Sequence, residues 1–198
     1  MVSEEVQSIF AFINKAEQLK DTLRFAFTAS GKQESAAEHS WRLCLLVMVC
    51  SDHVAHLSLE KMLRLALVHD LPEAVCGDTV ACEQSDPLSK SAKEREAMRE
   101  LARELPPNAG ESILALWEEY EAASSEEARY VKALDKIETL MQHNQGRNPE
   151  SFDYSFNLGY GRGVTDAVQL ASQLRALVDA DTRQRLAASL SKKQAPGG

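Results

Sequence analysis

Apolar residues recur three and four positions apart through almost every segment of this chain, the spacing that gathers them on one face of an α-helix. Val6, Phe10, Ile13 and Ala16 share such a face between Ser3 and Leu19, behind an acidic first turn that suits the positive end of a helix. The polar stretch TASGKQES separates it from a second run over about Ala36–Val54, with Leu43, Leu46, Val47 and Cys50 on one side. Ser35 and Glu38 open that run as a capping box, in which each side chain satisfies a free backbone N–H, and His39 then falls in the first turn or so. A third run takes in Ser58 and Lys61–Val75, with Leu63, Ala66 and Leu67 apolar. Pro72, which has no N–H for the helical ladder, ends or bends it. Further helices are predicted over Lys90–Leu105, Glu111–Ala123 and about Thr165–Leu190. Another starts at Ser124, where Ser124 and Glu127 repeat the capping pattern ahead of a stripe of Tyr130, Leu134, Ile137 and Met141. No segment alternates with period two, and none repeats. The pattern predicts an all-α bundle of about six to eight helices, a single domain over residues 1–190, and a disordered tail over 191–198.

The composition, 198 residues of which 44% are hydrophobic, is enough for one proper core. Trp41, Trp117 and Tyr120 fit helix–helix contacts in it. Twenty-two Lys and Arg against 30 Asp and Glu leave a formal charge of −8, which disfavours nucleic acid polymers as partners. A small anionic ligand therefore needs a local cluster of cations. Cys44, Cys50, Cys76 and Cys82 form no Cys-x-x-Cys pair and read as reduced thiols. The acidic N-terminus lacks the basic start of a signal peptide, and no apolar run reaches membrane-spanning length. These features point to a cytoplasmic protein with no membrane contact.

One segment departs from ordinary core patterning. In ALVHDLPEA, His69 and Asp70 interrupt an apolar run, and Glu73 follows one helical turn after His69. An imidazole and a carboxylate placed there are costly to bury unless they are paired or bind a metal. Alone, such a dipeptide reads as a core histidine beside a surface aspartate. But His39 sits at another helix start and Asp135 borders the stripe of a third helix, so three helices each offer a metal-ligand residue type at a half-buried position.

The segments ESAAEH, LALVHDLPEA, Gly77-Asp78 and LDKIE, in that order and spacing over roughly residues 10–145, resemble those of the HD-domain phosphohydrolases, within them the 5'-deoxyribonucleotidase-like group. The resemblance implies that His39, His69, Asp70 and Asp135 hold one divalent metal. Two imidazoles and two carboxylates suit Mn²⁺, Co²⁺, Fe²⁺ or Zn²⁺ better than Mg²⁺. It implies further that Glu73 orients or deprotonates the attacking water, that Asp78 protonates the leaving oxygen or holds the water, and that Arg24 grips the phosphate of a small nucleotide. Lys20, four residues before Arg24, offers a second cation. Phe25 and Phe27 stand near the place where the family often carries a tryptophan close to the sugar, so Phe27 becomes a candidate substrate contact and the deoxyribose preference is the softer expectation. Relatives of this kind suggest a homodimer.

The absence of histidine from Leu71 to Leu134 favours a mononuclear site over the dinuclear oxygenase branch. His53 and His56 lie at the far end of the second helix from His39 and read as ordinary surface residues. Two competing readings are a phosphohydrolase for another small phosphate or a nucleoside triphosphate, and a non-catalytic nucleotide-binding protein; the latter predicts loss of a ligand or of Glu73, and all are present.

Overall fold

The computed structural model describes residues 2–78 and 87–194. Its elements are α1 (Glu4–Ala16) followed by a 3-10 turn (Glu17–Lys20), β1 (Leu23–Phe27), β2 (Gln33–Ser35), α2 (Ala36–Cys50) with a second 3-10 turn (Ser51–Val54), α3 (Leu59–Val68), the short α4 (Glu73–Cys76), α5 (Pro87–Arg103), α6 (Pro107–Ala122), α7 (Glu126–Gln145), the short α8 (Tyr154–Gly159) and α9 (Arg162–Thr165), and α10 (Gln169–Gln194). The helical bundle is as the hydrophobic periodicity predicts.

The strands are the departure. β1 and β2 pair antiparallel as a small hairpin with an irregularity between Leu23 and Phe27. Leu23 and Phe25 point outward and are exposed while Arg24 and Ala26 point inward, so the alternation is inverted with respect to the usual half-buried strand.

Helix α7 is the axis of the fold. Val131, Leu134 and Tyr130 pack with Leu43, Val47, Met62 and Leu65 of α2 and α3, and Ala133, Ile137 and Leu140 pack with Ala171 and Val178 of α10. A further core joins Phe12, Leu19, Val68, Leu71, Met98, Leu101 and Trp117 under α5 and α6. With apolar neighbours on two sides, α7 still buries Asp135, Glu138, Thr139 and Gln142, at i, i+3, i+4 and i+7. That polar stripe faces α2 and β1.

Several local expectations shift. The Ser35–Glu38 capping box at the start of α2 is present with both of its hydrogen bonds. The cap of α7 is Ser125 rather than Ser124, with Ser125 Oγ accepting from Ala128 N at 3.0 Å, and Glu127 turns instead to Lys61 Nζ at 3.3 Å. Trp117 and Tyr120 are core, but Trp41 is 67% exposed because α2 turns that side to solvent. Helix α10 continues to Gln194, so the segment beginning at Ser191 starts as helix; the rest of that tail, 195–198, and Cys82 lie outside the described residues. No helix among the described residues is long and apolar enough to cross a membrane.

Candidate metal centre

Helix α3 ends at Val68, and His69–Pro72 form a turn that leads into α4. The proline stands just ahead of α4, where its missing N–H is not needed. His69 and Glu73 are therefore not one turn apart on a continuous helix. The turn instead points His69 and Asp70 at the start of α2 and the middle of α7.

There the donor atoms converge. His39 Nε2 lies 3.3 Å from His69 Nε2, 3.1 Å from Asp135 Oδ1 and 3.8 Å from Asp70 Oδ2, and His69 Nε2 lies 3.0 Å from Asp70 Oδ2. The ligand atoms of His39, His69 and Asp70 all fall within 4.8 Å of one another, close enough to hold a single metal ion. Both imidazoles are buried, and each has its other nitrogen committed. His69 Nδ1 donates to the Ala66 carbonyl at 2.8 Å, and His39 Nδ1 donates to the Glu138 carboxylate. Both rings thus aim Nε2 inward, the arrangement by which outer hydrogen bonds orient metal-binding histidines. Two inward imidazole nitrogens facing each other and two carboxylate oxygens form a donor set that suits a divalent metal ion.

The outer ring of contacts fixes each carboxylate. Asp135 Oδ2 accepts from Tyr120 OH at 2.9 Å and from Lys136 Nζ at 2.8 Å. Arg24 sends Nη2 to Thr139 Oγ1 at 3.1 Å, and its Nη1 lies 3.4 Å from Glu34 Oε2 and 3.9 Å from Glu138 Oε2. Burial and Arg24 push the His39 imidazole down, but Glu138 and Asp135 outweigh them and raise it to about 9. Burial works against ionised Asp70 and Asp135, yet the neighbouring histidines, with Arg24 beside Asp70 and Lys136 beside Asp135, hold both carboxyls below the usual carboxylate range. Glu73 goes the other way. Burial first, then the Asp70 and Asp78 carboxylates, push it well above its ordinary value, and its Oε2 is buried with no hydrogen-bond partner among the described residues.

A family model described as HD domain matches residues 16–175. The chain belongs to the HD domain family. Among its relatives, this HD domain is 31% identical over 183 residues to the 5'-deoxynucleotidase HDDC2 of Bos taurus, covering 89% of this chain and 88% of that protein. It is 33% identical over 183 residues to the human protein of the same name, covering 86% of each. Among solved structures it resembles a "Predicted metal-dependent phosphohydrolase" from Magnetospirillum magnetotacticum MS-1, with a TM-score of 0.75 and 26% identity over 91% of this chain and 97% of that one.

Of the residues singled out by sequence, the HD domain brings His39, His69, Asp70 and Asp135 into one cluster. Asp78 follows Gly77, whose φ of +73° ends α4, and its carboxylate contributes to pushing Glu73 up. Arg24 extends from β1 to Glu34 and Glu138, the latter the carboxylate that accepts from His39 Nδ1. Lys20 does not: it lies in the 3-10 turn rather than one helical turn before Arg24, its side chain is 69% exposed, and its partner is Glu17 at 3.7 Å. Phe27 packs edge-on to Phe25, which stacks on Phe152, and strand alternation sets both phenylalanines opposite Arg24. His53 and His56 line a separate cleft of about 750 Å³, and His56 pairs there with Glu126. Glu34, Glu138, Thr139, Tyr120 and Lys136 were missed as site residues. Glu138 had a legible signal, since it stands three residues after Asp135 on a helix with apolar residues on both sides.

Proposed function

We propose that this chain is a divalent-metal-dependent 5'-deoxynucleotidase that hydrolyses nucleoside 5'-monophosphates to nucleoside and phosphate. The observation that carries the reading is the convergence of His39 Nε2, His69 Nε2, Asp70 Oδ2 and Asp135 Oδ1, drawn from three distant parts of the chain, with a buried Glu73 Oε2 that has no hydrogen-bond partner among the described residues. The names of the relatives support the same chemistry. In this reading those four residues hold one ion, Mn²⁺, Co²⁺, Fe²⁺ or Zn²⁺, since two imidazoles disfavour Mg²⁺. When bound, such an ion supplies positive charge for the phosphoryl oxygens and for acidifying water.

The chain's own groups do the rest. Burial, with the Asp70 and Asp78 carboxylates, raises Glu73; positive charge among the donors would offset the carboxylates' share and favour Glu73 as the base that takes a proton from the attacking water. In this reading Asp78, whose carboxylate lies in the field of Glu73, passes a proton to the leaving 5'-oxygen. Arg24 has a planar fork and several carboxylates competing for it, and an incoming phosphate adds one more acceptor within its reach.

Chelated protein should release no phosphate from dAMP, and added Mn²⁺, Co²⁺ or Zn²⁺ should restore release more fully than Mg²⁺. AMP and an aryl phosphate in the same assay rank sugar against leaving group. Failure of every metal with every substrate, despite stoichiometric metal binding, would point to a different small phosphate or to a binding protein.

The reading extends to a cytoplasmic homodimer. The thiols of Cys44, Cys50 and Cys76 are free, as suits a reducing compartment. Trp41, Leu45, Met48 and Val49 form an exposed apolar stripe at i, i+4, i+7 and i+8 on α2, a pattern that calls for cover. Trp41→Asp should convert the dimer to a monomer in sedimentation velocity without changing the circular dichroism spectrum. A monomeric parent protein would rule out the dimer.

A further inference from the structure

Lys136 follows Asp135 on α7, so the two side chains leave the helix about 100° apart. The lysine nevertheless reaches back, with its ammonium 2.8 Å from Asp135 Oδ2, the oxygen that also accepts from Tyr120. Oδ1 is left to face His39 Nε2 at 3.1 Å. The two oxygens of one carboxylate thus have different tasks.

The lysine is held in that pose from outside. Its ammonium stands 5.4 Å from the centre of the Tyr160 ring, and its stem lies on Gly161, where a Cβ would come within 2.9 Å of Lys136 Cγ. Gly161 also has φ +68°, so glycine there serves both the turn and the lysine. The turn is pinned in its own right. Arg175, 1% exposed, donates from Nη1 to the Tyr160 carbonyl at 2.6 Å and from Nη2 to the Asn157 carbonyl at 2.7 Å, while its Nε holds Asp179 at 2.7 Å. A buried arginine is expensive unless its donors are all used, and here they are used to fix one turn. Continuous contacts run from Arg175 through Tyr160 and Gly161 to Lys136 and Asp135. Hydrolysis as described above makes no use of them.

We propose that Lys136 is a positioning residue that tunes Asp135: its ammonium, pinned by the Tyr160–Gly161 turn, occupies Oδ2 and draws charge off the carboxylate, so that the site grips its metal ion less tightly and neutralises less of the ion's charge. The proposal rests on the ligand assignment under the proposed function. A fixed positive charge against one ligand oxygen opposes cation binding at the other through simple Coulomb repulsion, and the low exposure of the cluster keeps water from screening it.

The test is titration of Mn²⁺ into metal-free protein, read by the signal of free Mn²⁺, with dAMP hydrolysis measured alongside. Lys136→Met keeps the stem and removes the charge. Its Mn²⁺ dissociation constant should fall roughly tenfold while kcat also falls. An unchanged or weaker affinity overturns the proposal, because a lysine that merely props the site would loosen it when lost. Gly161→Ala crowds the lysine stem while leaving every charge and ligand in place, so it should tighten Mn²⁺ binding by a smaller factor; if Lys136→Met fails to fold, this variant decides, and affinity no tighter than the parent's overturns the proposal. His69→Ala separates the two levels. Loss of binding in His69→Ala with parental affinity in Lys136→Met and Gly161→Ala sinks only the role of the lysine. Parental Mn²⁺ binding in His69→Ala, or none in the parent protein, sinks the ligand assignment and this proposal with it.

Discussion

His69→Ala is expected to lose stoichiometric metal binding and to release phosphate from dAMP at least roughly 10³-fold more slowly than the parent protein, the loss set by several kcal/mol of Lewis-acid stabilisation at tenfold per 1.4 kcal/mol. The expectation comes from how His69 is held. Its Nδ1 donates to the Ala66 carbonyl and its Nε2 stands 3.0 Å from Asp70 and 3.3 Å from His39 Nε2. Leu65, Ala66 and Leu71 beside it in the chain are apolar and buried. Metal should raise the Tm of the parent protein by mass action and leave that of His69→Ala unmoved. Calorimetric titration with Mn²⁺, paired with a phosphate assay, checks both halves. Retained activity with lost metal would contradict a metal mechanism outright.

Glu73→Gln should separate chemistry from metal binding. Glu73 is buried, its Oε2 has no hydrogen-bond partner among the described residues, and its amide replacement has the same shape but no basic oxygen. A drop in kcat of roughly 10²–10⁴-fold is expected with metal affinity close to that of the parent, the usual share of a general base. The same substitution should stabilise the metal-free protein at neutral pH. Burial, Asp70 and Asp78 raise the Glu73 pKa in the folded state, so above the ordinary pKa of an unfolded glutamate folding must take up a proton at Glu73, and stability falls as pH rises toward the folded value. Glutamine carries no such penalty. A higher Tm with lower kcat would mark Glu73 as a group whose placement favours function over stability. Equal kcat in the two proteins would hand the water-handling role to another group.

The helical frame was legible in the chain because it depends on spacing within each segment. Leu43 and Val47 on α2, Leu134 and Ile137 on α7, and the Ser35–Glu38 capping box all act through neighbours three or four residues away. The residue types of the site were legible for a related reason: His69, Asp70 and Asp135 are polar where periodicity demands apolar, and such exceptions stand out against a regular pattern. The hairpin was not legible because its strands are short and do not alternate cleanly: Ala26 stands between Phe25 and Phe27 in β1, and Gln33–Ser35 of β2 is polar throughout. The exposure of Trp41 was hidden likewise, since α2 is apolar on more than one side and only its packing against α3 and α7 shows which side stays in solvent.

By itself, then, the sequence determined a helical bundle with histidine and aspartate set among apolar positions, since helix formation and the cost of burying charge are decided by local composition and period, while its motifs supplied the resemblance to the HD-domain family. Only the tertiary structure decided that Arg24 and not Lys20 turns to the carboxylates behind His39, and which oxygen of Asp135 faces His39 while Lys136 and Tyr120 hold the other. Those outcomes depend on the directions in which side chains leave elements as far apart as β1, α2 and α7. Directions of that kind are set when helices about a hundred residues apart in sequence pack against each other, and no spacing along a single segment encodes them.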